Sequence, residues 1–429
     1  MNRRKFLSAS LQTGLTAAVA GTAIAQGKDT NGNTAPRTGA SSPPANMMGD
    51  EALSCYFTEE RLHQALGTKE LLKPTDVQVV AYNFPSWHPS KYMEGIFGKG
   101  WTEFDTLRNA RTLFPGHSMP HYPLWGYFDE ADPTWAAKEI ETAAEYSVDA
   151  WMIDWYWHEG TQFYHEQIEQ GLLKADNRSK LKFAIMWANH DWTNVYPAQS
   201  PAKAAVLLPQ VHTLADFANV INYCAEHYFS QSNYLRIDDA LVFSIFDIQK
   251  IITQLGTDGI KQAIDLMRER AARLGFAKLH LQAGNGCPKA HEKHLHELGL
   301  DSATTYGTLA YTYSSTPPGS RIAYGTGAYD AIASWKKNRE NISVPFFPCC
   351  TVGWDDSARY GEYSSVAINR SPDQFERLMR AARHHVAADN HAKLIYVTAW
   401  NEWTEDQVLL PDSYWGYSYL EALRRAMKS

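Results

Sequence analysis

Eight apolar runs of strand length recur along the chain. They are VQVVAYN (77–83), VDAWMIDW (148–155), LKFAIMW (181–187), ALVFSIF (240–246), AKLHLQA (277–283), DSATTY (301–306), VPFFPCC (344–350) and KLIYVTAW (393–400). The runs are continuous rather than alternating, as expected of parallel strands buried on both faces, and the sixth is the weakest. Helical patterns fill the intervals. Asp132-Pro133 reads as an N-cap with proline in the first turn, and Trp135, Ile140, Ala143 and Ala144 follow on one face. Ser371-Pro372-Asp373-Gln374 reads as a capping box ahead of Phe375, Leu378, Met379 and Ala382. Further helices are predicted near 162–173, 214–229, 257–274, 327–340 and 416–427. Eight strands alternating with helices predict an α/β chain built on a single (β/α)8 TIM barrel, residues 77–429, with a long first βα insertion over 84–131. A doubly wound sheet would carry a glycine-rich phosphate loop after its first strand, and FPSWHPS is no such loop.

Ahead of the barrel the pattern changes. MNRRKFLSASLQTGLTAAVAGTAIA sets Arg3 and Arg4 before a short apolar run and an Ala23-Ile24-Ala25 cleavage site. That order predicts a twin-arginine signal over residues 1–25 and an exported, periplasmic or extracellular protein. Residues 26–50, rich in Gly, Pro, Ser, Thr and Asn, read as a flexible linker, and 51–76 as a lead-in helix. No other apolar run approaches a membrane span, so no membrane insertion is expected. Cleavage would remove Arg3, Arg4 and Lys5 and no acid, taking the formal charge from −7 to −10. An acidic chain is a poor partner for nucleic acid. The five cysteines (55, 224, 287, 349 and 350) show no CxxC or zinc spacing and read as inert core thiols.

In a (β/α)8 barrel the chemistry lies where strands end. The first strand ends at Tyr82, Trp87 and His88, and its insertion adds Trp101, His117, His121 and Tyr127. The second ends at Asp154, Trp155, Tyr156, Trp157 and His158, and the third at Trp187, Asn189, His190, Asp191 and Trp192. Asp247, Gln282, Asn285 and Tyr306 follow the next three. Trp354, Asp355 and Asp356 follow the seventh, and Trp400, Asn401, Glu402, Trp403 and Glu405 the eighth. Eight of the 14 tryptophans fall at these ends, which is more than core packing alone asks. Indole faces pack on sugar rings, while Asp, Asn and His bond hydroxyls, so a carbohydrate is the expected partner. Of these residues, Tyr82, His88, Trp101, His117, His121, Tyr127, Asp154, Trp155, Tyr156, Trp157, Asn189, His190, Asp191, Trp192, Trp354, Asp355, Asn401 and Trp403 are the expected substrate contacts.

Glycosidic cleavage generally uses two carboxyl groups. Glu402 and Glu405, three residues apart after the last strand, are the candidates. Spacing alone leaves a solvated turn and a catalytic pair both open. HExxH does not occur, and the histidines gathered at the strand ends are read as hydrogen-bonding groups rather than metal ligands; no cofactor is expected.

YNFPSWHPS, GKGWTEFDTLRNARTLFPGHSMPHYPLWGYFDEADP, IDWYWHEG, WANHDWT, TVGWDDSAR and WNEWTEDQVLLPD, in this order, resemble the WbsX family, which is similar to glycoside hydrolase family 99. The resemblance covers roughly 77–428 and implies a barrel-fold, retaining, endo-acting α-mannosidase or mannanase. It also implies that Glu402 is the base towards the substrate's 2-hydroxyl, that a 1,2-anhydro sugar forms, and that Glu405 is the acid and then the base. The chain departs from the family's common WANENW at His190 and Asp191, and Asp406 replaces the usual glycine after the second glutamate. Asp406 would be a third carboxylate beside Glu405, raising its pKa if it pointed inward. Two other readings stand beside the hydrolase: a non-catalytic carbohydrate-binding barrel, and a glycosyltransferase of polysaccharide synthesis, against which an export signal argues.

Overall fold

The computed structural model describes residues 56–201, 204–286, 289–307 and 316–428. The expected signal, the linker, Cys55 and Cys287 lie outside them. Eight parallel strands form one curled sheet: β1 (Val77–Asn83), β2 (Ala150–His158), β3 (Lys182–Trp187), β4 (Ala240–Ile245), β5 (Leu279–Ala283), β6 (Ser302–Ala303), β7 (Cys349–Thr351) and β8 (Lys393–Thr398). Their order is β6-β5-β4-β3-β2-β1-β8-β7. The circle closes where Ala303 bridges Phe346 on the approach to β7. The helices are α1 (Glu59–Leu66), α2 (Lys91–Phe97), α3 (Phe104–Arg108), α4 (Pro133–Glu145), α5 (Leu214–His227), α6 (Ile248–Arg273), α7 (Tyr324–Asn341), α8 (Ser357–Tyr360), α9 (Pro372–Val386) and α10 (Ser418–Lys428). This is the expected TIM-barrel architecture, with α2 and α3 inside the first insertion.

Several elements differ from expectation for local reasons. The seventh run starts pairing on the sheet path only at Cys349, because Pro345 and Pro348 have no N–H to give a ladder. The region expected as a helix over 162–173 opens as a strand, Thr161–Phe163, which turns back at Gly160 and pairs antiparallel with the end of β2. Helical turns then run from Gln167 to Lys174. Helix α6 begins nine residues earlier than predicted, capped by Asp247, whose carboxylate accepts from the Lys250 N–H at 2.8 Å. A break at Gly256 (φ 73°) separates that first segment from the rest.

The predicted caps form. Asp132 accepts from the Thr134 N–H at 2.8 Å, and Ser371 from the Gln374 N–H. Gln374 does not complete the expected reciprocal bond. Its side-chain oxygen accepts from the Phe57 N–H at 2.6 Å, tying the lead-in segment to α9. Cys224, Cys349 and Cys350 are buried, as core thiols should be, and burial pushes the Cys349 thiol up to about 12.

Alternation along each strand separates two compartments. In β2, Met152, Asp154 and Tyr156 share one face and Trp151, Ile153, Trp155 and Trp157 the other. Trp155 and Trp157 stack on each other (5.5 Å) and pack on Tyr223 of α5. In β3, Trp187 packs on Phe217 of α5, while Met186 lies on the cavity side. Among the described residues, no helix is long and apolar enough to cross a membrane. Truncating fully buried Trp187 to Ala should destabilise the fold by ~3–5 kcal/mol, against about 1 kcal/mol for Ser371→Ala at the α9 cap. Chemical denaturation of both variants measures the contrast.

Candidate active site

The inward faces of the strand ends, with the loops that follow them, enclose a cavity of about 450 Å³. Phe84 after β1, Asp154 and Tyr156 of β2, Met186 and Ala188 at β3, Phe246 after β4 and Tyr306 after β6 form its floor and walls. His190, Asp191, Trp192 and Trp354 join them from the loops. So do Glu402 and Glu405.

The local fold explains how both glutamates face one space. Past β8 the chain forms a small hairpin in which Asn401 pairs with Val408 and Glu402 with Gln407. Trp403–Glu405 make its tight turn, and Asp406 closes it in the left-handed region at φ 55°. That conformation suits glycine and is tolerated by Asp, which accounts for the family's usual glycine there. Asn401 holds the hairpin to β1: Phe84 donates its N–H to Oδ1 at 2.8 Å, and Nδ2 donates to the Phe84 carbonyl at 3.0 Å. The turn crosses Gly353 so closely that a Cβ there would lie 2.7 Å from the Asp406 carbonyl.

One guanidinium joins the acids. Arg359 of α8 donates through Nη1 to Glu405, and its Nη2 lies 3.4 Å from each Glu402 oxygen. Its Nε and Nη2 donate to Glu103 at 2.9 and 2.7 Å. Ser86 and Thr404 hydroxyls donate to the same Glu103 carboxylate at 2.9 and 2.5 Å. Burial pushes the Glu402 carboxyl well above the usual carboxylate range; Arg359 opposes that rise, and Glu405, Glu103 and Asp154 add to it. Burial likewise raises Asp154. Tyr306 donates to its Oδ2 at 3.3 Å, while Oδ1 is buried without a partner. Burial lowers His190, whose Nδ1–H donates to the Asp191 carbonyl at 2.9 Å, so the ring is neutral. Asp191 is paired with Lys250 at 2.7 Å.

Of the expected substrate contacts, Asp154, Tyr156, His190, Asp191, Trp192 and Trp354 line the cavity. The other twelve do not. Trp155 and Trp157 face the helices, because the strand's alternation turns them outward. Tyr82 lies inside the barrel against Tyr306 and bonds the Gly284 carbonyl. Asn189 is occupied by the Asp247 backbone, and Asn401 by that of Phe84. His88 sits between Glu130 (3.1 Å) and Glu166 (3.3 Å); burial opposes its charge, but the two carboxylates raise it to about 9. His117 bonds Asp355, whose other oxygen caps Ser357. Trp403 is buried against His121. Trp101 stacks on Phe97 at 4.3 Å, and Tyr127 faces solvent under Arg108.

Asp406 does not point inward as a third active-site acid. It bonds His121 and Arg370, the latter at 2.6 Å. Burial alone would raise Asp406, but Arg370 and His121 hold it below its ordinary value. Sequence reasoning also missed Glu103 and Arg359. Their signal was a need for counter-charge: two acids in one pocket require a cation, and WDDSARY places one beside the seventh strand end. Among the described residues, no group of three His, Cys, Asp or Glu is arranged to hold a metal.

The cavity lies at the mouth of an eight-stranded barrel, between carboxylates and aromatic walls, and the fold is similar to that of glycoside hydrolases. The structure of a family 99 endo-α-mannosidase from Bacteroides thetaiotaomicron superposes with a TM-score of 0.52 at 16% identity, over 82% of this chain and 95% of that one. A structure described as a glycoside hydrolase-like protein gives 0.56 at 13% identity, over 84% and 96%. Residues 79–423 match the family described as glycosyltransferase WbsX, and the chain belongs to that family. The protein WxcX of Xanthomonas campestris pv. campestris, described as uncharacterized, is 25% identical over 374 residues, 85% of this chain. The chain spans about half, 52%, of the length of that relative.

The Asp406 cluster yields a pH prediction. Burial disfavours the His121 charge, but Asp406 and Asp412 raise it to about 10. A raised histidine stabilises fully below its unfolded value of about 6.5, and that contribution is lost as pH climbs through the folded value. The Tm margin of the wild type over His121→Gln should therefore be largest below about pH 6.5 and shrink towards pH 10. Thermal melts across that range check it, and a margin growing with pH would contradict it.

Proposed function

We propose that this chain is an exported, retaining glycoside hydrolase acting within a poly- or oligosaccharide, with an α-mannoside as the default substrate. The observation that carries the reading is the Glu402–Glu405 pair, presented by one hairpin to one cavity at the barrel's C-terminal mouth. The family resemblance and the endo-α-mannosidase fold support the choice of sugar. The signal reading of residues 1–25 supports export.

In the first step, Glu402 carboxylate takes the proton of the sugar's 2-hydroxyl. The freed oxygen attacks the anomeric carbon, and Glu405 protonates the departing glycosidic oxygen. The product is a 1,2-anhydro sugar. In the second step Glu405, now a carboxylate, takes a proton from water, which attacks the anomeric carbon. Glu402 returns its proton to the 2-oxygen. Two inversions give net retention, and both glutamates end as they began. Trp192, Trp354 and Tyr156 supply apolar faces for sugar rings. Asp154, Asp191 and His190 supply hydrogen-bonding groups.

The family's description favours a second reading, glycosyl transfer. A nucleotide-sugar donor needs a cationic cradle for its diphosphate. Here Glu103, Asp154, Asp191, Glu402 and Glu405 line the cavity, and its Arg359 is engaged by three of them. Titration with nucleotide sugars separates the readings, since a hydrolase should bind none.

Two outcomes test the proposal. In a polysaccharide digestion screen, Glu405→Gln should lose about 10²–10⁴-fold in kcat with an unchanged melting profile. Normal turnover by that variant would sink the assignment, whereas a binding barrel would lack turnover in the wild type as well. Substrates lacking the 2-hydroxyl should bind without being cleaved, read by calorimetry beside product analysis.

A further inference from the structure

The two glutamates are not held alike. Glu405 receives two donors, Arg359 Nη1 at one oxygen and Gln407 Nε2 at the other, 3.0 Å away. Glu402 is buried, and among the described residues its donor is Arg359 Nη2, at a longer 3.4 Å to each oxygen. Donors aimed at a carboxylate favour its ionised form, and burial without close donors favours the neutral acid. Arg359 cannot drift to even out this difference. Glu103 grips its Nε and Nη2, the Phe84 ring lies 5.6 Å from its guanidinium carbon, and the Gln199 N–H bonds its carbonyl at 3.1 Å. Ser86, Thr404 and Arg359 together donate to both Glu103 oxygens.

Resting on the hydrolase reading above, we propose that Arg359 is the positioning residue that sets the proton distribution of the pair. In the substrate-free site its donors favour the ionised form of Glu405 and leave the proton on Glu402, and cleavage begins only when a bound sugar draws the Glu405 carboxylate off the guanidinium. The substrate-free arrangement is the one the second step requires, with Glu402 carrying a proton and Glu405 ready to take one from water. The first step requires the reverse. The same single proton must pass from Glu402 to Glu405 as substrate enters, with no proton gained or lost by the pair. The moving partner is the Glu405 side chain, because Arg359 is held in place by the bonds of its Nε and Nη2 to Glu103.

The groups facing Glu402 are compatible with this state. Glu405 stands on its own hairpin, Asp154 and Tyr156 on β2, Tyr306 after β6, Glu103 on the insertion and Arg359 on α8. Arg359 is the cation of this set, and the tyrosines are neutral because burial raises them far above neutrality. His190 and Asp191 line the same cavity, the first neutral and the second paired with Lys250.

Infrared difference spectroscopy on the full chain, labelled with carboxyl-¹³C glutamate, tests the proposal without needing turnover. At pH 7 the wild type should show a protonated glutamic acid band that Glu402→Gln removes and Glu405→Gln does not. Buried Glu139 contributes a constant background, and Asp154 is unlabelled. If Glu402→Gln leaves the band unchanged, or Glu405→Gln removes it, the proposal is overturned. Kinetics give a second readout. Arg359→Met should move the limbs of the kcat/KM pH profile upward by one unit or more, and Arg359→Lys should restore their position in part. A loss of rate with unchanged limbs would mean that Arg359 only holds the fold, and would also overturn it. If Arg359→Met does not fold, the wild-type and Glu402→Gln spectra still decide. Failure to cleave any glycan would count against the hydrolase reading while leaving the spectroscopic result intact.

Discussion

A guanidinium buried among three carboxylates is the interaction on which this structure turns. Burying Glu103, Glu402 and Glu405 together without a cation would leave uncompensated charge, which costs several kcal/mol per ion. Arg359 offsets that cost, and the five N–H donors of its planar fork let it meet three acids at once, where an ammonium offers only three. The balance is incomplete by construction. Glu103 takes the fork, Glu405 takes one nitrogen, and Glu402, also buried, is left with the long contact. Two glutamates of the same type, three residues apart, thereby stand in different hydrogen-bonding surroundings.

The surroundings serve to keep that arrangement rigid. The first insertion delivers Glu103, and Glu130 near its end ties His88 and Trp87 and reaches Asn401 at 3.4 Å. The far side of the hairpin is fixed by Asp406 with His121 and Arg370, and by the Asp355 N–H on the Glu405 carbonyl at 2.7 Å. Of the histidines expected as substrate ligands, His88, His117 and His121 are instead charged or hydrogen-bonded struts. They act one layer behind the cavity, where their pairing with carboxylates maintains the backbone that carries Glu402 and Glu405.

Much of this was legible from residues alone. The eight apolar runs gave the barrel, and the position of NEWTE after the eighth run put both glutamates at its mouth. The inward or outward sense of each tryptophan was not legible. In a strand covered on both faces the hydrophobic pattern does not alternate, so it carries no phase. Trp155 and Tyr156 are equally buried, and only the packing of α5 shows that the first faces a helix and the second the cavity.

Sequence by itself determined the backbone periodicities, the helix caps at Asp132 and Ser371, and the presence of two carboxylates at one strand end. These follow from local chain physics, in which neighbours within a few residues decide the outcome. Tertiary structure decided the rest: that Arg359 meets Glu103 across 256 residues, that the Gln374 side-chain oxygen accepts from Phe57, and that Asp406 turns away from the cavity. Such pairings leave no mark on spacing, because their energy comes from desolvation and charge compensation that exist only once the chain has folded.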